Sequence, residues 1–259
     1  KSQKFKPVVG DNVLWIMQED GTTVVTKILK PNNQLERLNQ YGQQQIIASN
    51  ISQILLITAP LPKPNFLLID KFLLISELMD CSLSIIFNKV DLIENNNHQL
   101  QIYEKLDYPV VMISAKEKIN LSPLFALLNQ QRTVLVGQSG VGKSTIINLL
   151  IPKDKIRTEE LSIKNQKGKH TTSSSTMHAL EDNGYLIDTP GVENLIPKII
   201  DIKEIETGFK EIASLSHACK YRDCIHINEP NCAVSQGLIN HQIATQRYNN
   251  YKKLVEEFG

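Results

Sequence analysis

The chain is nearly without net charge. Its 28 Lys and Arg against 27 Asp and Glu leave +1 over 259 residues. A global field therefore cannot attract a polyanion, and any nucleic-acid surface has to be local. No stretch is long or apolar enough to cross a membrane, and no signal-peptide pattern opens the chain, so secretion and membrane anchoring are not expected. The chain begins at Lys1 rather than Met, so a trimmed or a disordered N-terminus is expected. It has only four cysteines, three of them close together near the C-terminus. With no secretory signal, a disulfide framework is not expected. Internal repeats and long low-complexity tracts are absent. What remains, 41% hydrophobic and 21% charged residues, is the composition of a folded protein long enough for two or three domains.

Three stretches differ in pattern. Up to about Ala59 the chain reads as short strands with tight turns: PVVGDNVLWI, then the turn Glu19–Thr22, then TVVTKIL and IIASNISQILLIT. That pattern predicts a small all-β barrel over residues 1–60. The proline-rich segment Ala59–Pro64 marks a linker. Over 61–205, the apolar runs FLLID, IIFNK, VVMIS, TVLVG and GYLID read as buried parallel strands. Helix-like segments lie at Asp70–Cys81, His98–Leu106 and Ser122–Gln131. This is an α/β doubly wound pattern, in which ligands bind at the carboxyl ends of strands. Residues 206–259 read as helical around a cysteine–histidine segment.

Each candidate nucleotide motif directly follows one of those runs. Gly137, Gln138, Ser139, Gly140, Val141, Gly142, Lys143, Ser144 and Thr145 form GQSGVGKST after TVLV and open the helix STIINLLI. This is the context of a phosphate loop: glycines let backbone N–H groups turn inward, Lys143 reaches the β- and γ-phosphates, and Ser144 ligates Mg²⁺. DTPG follows GYLI, with Asp188 expected at the Mg²⁺ and the Gly191 N–H at the γ-phosphate. NKVD supplies Asn88, Lys89 and Asp91. The Asp91 carboxylate accepts from guanine N1–H and its exocyclic amine, a pattern adenine does not offer. The Lys89 stem can cover the base plane. In ISAK, the amides near Ser114 and Ala115, followed by Lys116, are expected to donate to the guanine O6. Together these motifs favour GTP and GDP over adenine nucleotides.

Their order is unusual. NKVD and ISAK come before the phosphate loop, while His170-Thr171-Thr172 and DTPG come after it. The parts of a nucleotide site must meet in space, not in sequence, so this reads as a circular permutation. One of Thr171 and Thr172 is expected on the Mg²⁺. Leu161–Leu180 holds Lys164, Lys167 and Lys169 and no acid; it reads equally as a solvated loop or as one that docks on phosphates. Val192 stands where many such enzymes carry a water-orienting glutamine. His170 is the candidate replacement, alongside a group supplied by a partner.

Cys219-x₄-Cys224-x-His226-x₅-Cys232 brings three thiols and an imidazole into fourteen residues, the donor set of a closed, structural Zn²⁺ site. His217 and His241 fit that spacing less well. Cys81 reads as a small buried residue, and Trp15 as part of the core rather than a base-stacking platform. Phe5 and Tyr41 are further stacking candidates.

The permuted order, GKHTT ahead of DTPG and the CysCysHisCys spacing closely resemble the ribosome small-subunit-dependent GTPase family (RsgA, also YjeQ). The resemblance covers essentially the whole chain, including PNFLLIDKFLL after the linker. It implies an OB-fold N-terminal domain (1–60), a circularly permuted P-loop GTPase domain (61–205) and a zinc-binding domain (206–259). It also implies a cytoplasmic monomer that binds the small ribosomal subunit and its rRNA late in maturation and hydrolyses GTP when stimulated by it. The chain departs from the family in its few basic residues over 1–60: six, against four acids. A competing reading is a GTP-dependent RNA or protein clamp with little hydrolysis. In either case the chain leaving DTPG, Val192 to Ile202, runs toward the zinc segment and is expected to re-aim it when the γ-phosphate is lost.

Overall fold

A computed structural model describes residues 6–39, 41–93, 100–151, 175–189 and 195–258. At its centre is a six-stranded sheet in the order β7-β6-β5-β8-β10-β9. The strands are β5 (Gln53–Thr58), β6 (Ser82–Phe87), β7 (Val110–Met112), β8 (Arg132–Val136), β9 (Thr176–Ala179) and β10 (Tyr185–Asp188). Five are parallel, and β9 closes one edge antiparallel to β10. From β5 the chain steps outward through β6 and β7, then returns to β8 on the opposite side of β5. The carboxyl ends of β5 and β8 therefore flank a topological switch point, the usual place for a ligand in such a sheet.

The strands are apolar on both faces because both faces are covered. Ile54, Leu56, Ile85, Phe87, Val134 and Val136 enter one core; Leu55, Ile57, Ile86, Leu135 and Leu186 enter the other. The first is roofed by α1 (Phe66–Leu78) and α2 (Gln101–Glu104), the second by α3 (Ser122–Leu128) and α4 (Lys143–Leu150).

Two expectations change here. FLLID is not a strand: residues 66–70 are the first turns of α1. Asn65 caps that helix, its side chain accepting from the Leu68 N–H at 3.1 Å. The apolar run is long because α1 is buried from two sides. Ile69, Phe72, Leu73 and Ile75 face the sheet, while Leu74 enters a separate core with Ile205, Phe209 and Leu254. A helix apolar all round is a buried helix. The strand missing from the expected set is Gln53–Thr58, assigned from sequence to the N-terminal barrel. It is a central strand instead, so a boundary at residue 60 cuts after an element of the sheet rather than before it.

The preceding segment forms two antiparallel hairpins in separate two-stranded sheets: β1 (Val13–Met17) with β2 (Thr23–Ile28), and β3 (Gln34–Leu38) with β4 (Gln44–Ser49). Leu35, Ile47 and Ala48 of the second hairpin are buried in the core shared with the sheet. The first hairpin stands out into solvent, and Trp15 is 55% exposed. Trp15 is therefore not a core residue. Tyr41 is exposed too, Phe5 lies outside the described residues, and Cys81 is half-buried against the core.

The C-terminal segment starts with a 3₁₀ turn, Ile202–Gly208, followed by α5 (Lys210–Ser216), α6 (Ala233–Ile239) and α7 (Thr245–Phe258). It is joined to α1 by a buried ionic node. Arg247 of α7 donates from Nη1 to Asp70 Oδ1 at 2.6 Å. It also donates from Nε and Nη2 to the two Glu211 carboxylate oxygens at 2.7 and 2.9 Å, and from Nη2 to the Gly208 carbonyl at 3.2 Å. Asn250 Nδ2 and Tyr103 Oη donate to Asp70 at 2.7 and 2.8 Å. Arg247 is 1% exposed and Asp70 0%. Burial pushes the Asp70 carboxyl up, and Arg247 opposes it most strongly. Every contact to Asp70 is a donor, which is what a buried carboxylate requires.

Candidate functional site

The nucleotide motifs converge on the carboxyl edge of the sheet. The phosphate loop leaves β8, NKVD leaves β6, ISAK leaves β7, and Asp188 ends β10. Because β8 and β10 are adjacent and parallel, Ser144 at the start of α4 and Asp188 stand at the same edge. Both are exposed, as ligands for an incoming ion should be.

The phosphate loop has the backbone that its glycines permit. Gly137, Gly140 and Gly142 have φ of +139°, +78° and +101°, values that side chains rarely adopt. Gly137 passes so close to β5 that a Cβ there would lie 2.1 Å from the Ile57 carbonyl oxygen. A Cβ on Gly142 would lie 2.3 Å from Asn88 Nδ2. Lys143 Nζ folds over the loop and donates to the carbonyls of Gly137 and Gln138, the latter at 2.6 Å. Gln138 points away from the loop centre; its Oε1 accepts from the Asn65 N–H at 2.9 Å, at the start of α1.

Asn88 and Lys89 are bolts between loops. Asn88, 2% exposed, donates from Nδ2 to the Val141 carbonyl at 2.9 Å and accepts at Oδ1 from the Ala115 N–H at 3.0 Å. Lys89, in the left-handed region at φ 63°, donates from Nζ to the carbonyls of Gly140 at 2.6 Å and Leu61 at 2.8 Å. Two motifs separated by about fifty residues, in reversed order, are thus one hydrogen-bonded unit. The Ser114 N–H donates to the Ile119 carbonyl at 3.2 Å and the Ala115 N–H to Asn88. These contacts shape the loop that follows β7. Asp91 and Lys116 are exposed, with Lys116 Nζ 3.1 Å from Glu117. The hydroxyls of Thr58 and Thr189, at the carboxyl ends of β5 and β10, are buried and unpartnered among the described residues. Buried polar atoms of this kind need explaining by a ligand or water. His170, Thr171, Thr172, Gly191 and Val192 lie outside the described residues.

The second site is a cluster of metal-ligating side chains in the C-terminal segment. Cys219 Sγ, Cys224 Sγ, His226 Nδ1 and Cys232 Sγ lie within 4.8 Å of one another. The His226 Nδ1 distances to the three sulfurs are 3.4, 3.3 and 3.4 Å, and Cys219 to Cys232 is 3.8 Å. Zinc–sulfur bonds of about 2.3 Å at tetrahedral angles put sulfurs roughly 3.8 Å apart, so the donors fit that ion. His217 and His241 are not in the cluster.

Glu206 was not legible as part of this centre. Its Oε1 stands 3.0 Å from His226 Nε2, fixing the ring so that Nδ1 turns to the sulfurs. Burial alone would lower the His226 pKa. Glu206 and the neighbouring thiols outweigh it and raise the metal-free imidazole to about 9. Metal uptake then releases a proton. No sequence signal marks Glu206, which is twenty residues away. Tyr248 and Tyr251 add support, donating to the His226 and Ile225 carbonyls at 2.7 and 3.1 Å.

The family described as RsgA GTPase matches residues 28–196. A protein of Actinobacillus succinogenes named small ribosomal subunit biogenesis GTPase RsgA is 37% identical over 257 residues, covering 96% of this chain and 74% of that protein. A Haemophilus influenzae protein of the same name is 36% identical over 261 residues, covering 97% and 75%. Among solved structures, YjeQ from Thermotoga maritima matches with a TM-score of 0.76 and 29% identity over 97% of this chain and 84% of that one. YloQ, described as a circularly permuted GTPase, matches with a TM-score of 0.74 and 26% identity over 99% and 82%.

Proposed function

This chain belongs to the RsgA GTPase family, and from that premise we propose that it hydrolyses GTP as an assembly factor of the small ribosomal subunit, which stimulates the hydrolysis late in maturation. The observation that carries the reading is the pair of bolts: Asn88 to Val141 and Lys89 to Gly140 join a guanine-reading loop to a phosphate loop.

Within that site the residues take separate tasks. Asp91 selects guanine by accepting from its N1–H and amine. Lys89 holds the loop while its stem borders the base. The phosphate-loop amides and Lys143 bind the phosphates, Lys143 exchanging its carbonyl contacts for phosphate oxygens. Ser144, Asp188 and one of Thr171 and Thr172 would hold Mg²⁺, which neutralises phosphate charge when bound. His170 orients water in place of the missing glutamine. Zn²⁺ at Cys219, Cys224, His226 and Cys232 is structural, since four protein donors leave no open position.

The N-terminal hairpins are read as an OB-like module that meets rRNA. Exposed Trp15 and Tyr41 support stacking on bases there. The protein acts as a cytoplasmic monomer in this reading.

Phosphate release at matched GTP, with and without small subunits, tests the proposal. Acceleration on the order of tenfold or more is expected. Intact GTP binding with no acceleration would replace it with a GTP-dependent clamp. For His170, the H170A protein should lose stimulated turnover and keep its GTP affinity.

A further inference from the structure

The imidazole of the cysteine–histidine cluster sits on an unusual turn. His226 has φ of +62°, in the left-handed region that a residue with a Cβ rarely adopts. The chain bends over residues 226–228, and a single residue separates His226 from Cys224. This turn brings the two ligand atoms together, with His226 Nδ1 3.3 Å from Cys224 Sγ. An ordinary extended or helical backbone at His226 would aim the ring elsewhere. A backbone of this kind persists only where its surroundings hold it.

Glu229 supplies the hold. Its Oε1 accepts from the Ile225 N–H at 2.7 Å, and its Oε2 accepts from the Ile227 and Asn228 N–H groups at 2.9 and 3.0 Å. One carboxylate therefore takes amides from both sides of His226. Backbone N–H groups that converge around a left-handed residue form a concavity for an anion. Burial would raise the Glu229 carboxyl, but the backbone donors, that of Ile225 foremost, outweigh it and hold it below its usual value. Pro230 follows and keeps Glu229 itself out of the helical region. The other contacts to His226 act at different points: Glu206 grips the ring and Tyr248 the carbonyl. Glu229 grips the turn.

We infer that Glu229 is a positioning residue for the metal site. By gathering three amides it keeps His226 in the left-handed turn, and so keeps Nδ1 among the three sulfurs. Glu229 is not one of the four clustered donors. It contributes to metal affinity through geometry rather than through its charge. The inference rests on the reading of this cluster as a zinc site.

Titration of the full chain with Co²⁺, a spectroscopic stand-in for Zn²⁺, separates geometry from charge. Glu229→Asp keeps the charge but is one methylene too short to reach the amides. Its Co²⁺ affinity should fall about tenfold or more. Its d–d bands should change as water replaces a displaced imidazole, while the thiolate charge-transfer band persists. Glu229→Gln loses the charge and keeps one acceptor oxygen at full reach, so its loss should be smaller. Wild-type Co²⁺ affinity in Glu229→Asp overturns the inference, whether or not that variant is less stable in urea. So does a larger loss in Glu229→Gln than in Glu229→Asp, which would make the carboxylate an electrostatic neighbour. If Glu229→Asp does not fold, Glu229→Gln decides alone, and a loss beyond about tenfold there overturns the inference. Failure of the zinc reading looks different: the wild-type chain then shows no Co²⁺ charge-transfer band, and the inference falls with it.

Discussion

The central sheet carries one attachment on each side of the same helix. At the C-terminal junction, Arg247, Asp70 and Glu211 form a charged node with Asn250 and Tyr103, sealed from water and spanning α1, α2, α5 and α7. At the N-terminal junction, the contacts among the described residues are apolar side chains, the Asn33 side-chain amide, a strand-like bridge of Leu195 to Arg37 with the Ile196 N–H donating to the Glu36 carbonyl, and a half-exposed Lys198–Glu36 ion pair. Asn33 Nδ2 donates to the Ile51 and Met79 carbonyls at 2.8 and 2.9 Å, and Leu195 lies against Leu35. A buried ionic node tolerates little displacement, because a shift strands a charge in low dielectric. The zinc segment is tied to the nucleotide domain through α1, and residues 195–198 are bound to the N-terminal hairpin.

The sharpest way to break this comparison is Arg247→Met. It leaves Asp70 and Glu211 buried without their cation, and about 3–5 kcal/mol of stability should be lost in urea unfolding. A loss under about 1 kcal/mol would mean the node is no stronger than a surface pair. Leu195→Ala probes the other junction. It removes buried methyl groups beside the open cleft that Asn33, Met79 and Ile196 line, so the cost should sit near the low end for such changes, about 2 kcal/mol. A cost equal to that of Arg247→Met would erase the distinction. Glu206→Ala asks whether the zinc centre depends on its carboxylate. Zinc affinity in a chelator competition should fall about tenfold, while GTP affinity stays unchanged. The smallest effect is expected at the exposed hairpin: Trp15→Ala should move stability by no more than about 0.5 kcal/mol. It should weaken rRNA binding by about tenfold if the ring stacks on a base. Stability loss without weaker binding would make Trp15 a packing residue after all.

The legible parts of the site were those that a local pattern announces. The phosphate loop must be glycine-rich because the backbone turns through left-handed conformations at Gly137, Gly140 and Gly142. The cysteine–histidine cluster has thiols and an imidazole at short spacing, the pattern that a single metal ion requires of its donors. Residues that act across the fold were silent. Glu206, Arg247 and Asp70 are ordinary charged residues in sequence, and their partners lie twenty to about 180 positions away. Asn88 was expected at a base, and its side-chain amide also holds two loops together, a role no local pattern announces.

Secondary structure divided along the same line. Short apolar runs flanked by turns gave β6, β7, β8 and β10 correctly. FLLID and ILLIT, alike in composition, became a helix and a central strand. Local propensity cannot separate them, since what decides is burial: α1 is covered by the sheet on one side and by the zinc segment on the other, and β5 is paired on both edges. The sequence by itself determined which chemical groups the protein brings to a nucleotide and to a metal, because spacing and residue type dictate those. Tertiary structure decided how the permuted motifs join and which attachment is made through buried charge. Those outcomes depend on hydrogen bonds and buried charges between residues far apart in the chain, whose cost and gain exist only once water has been excluded around them.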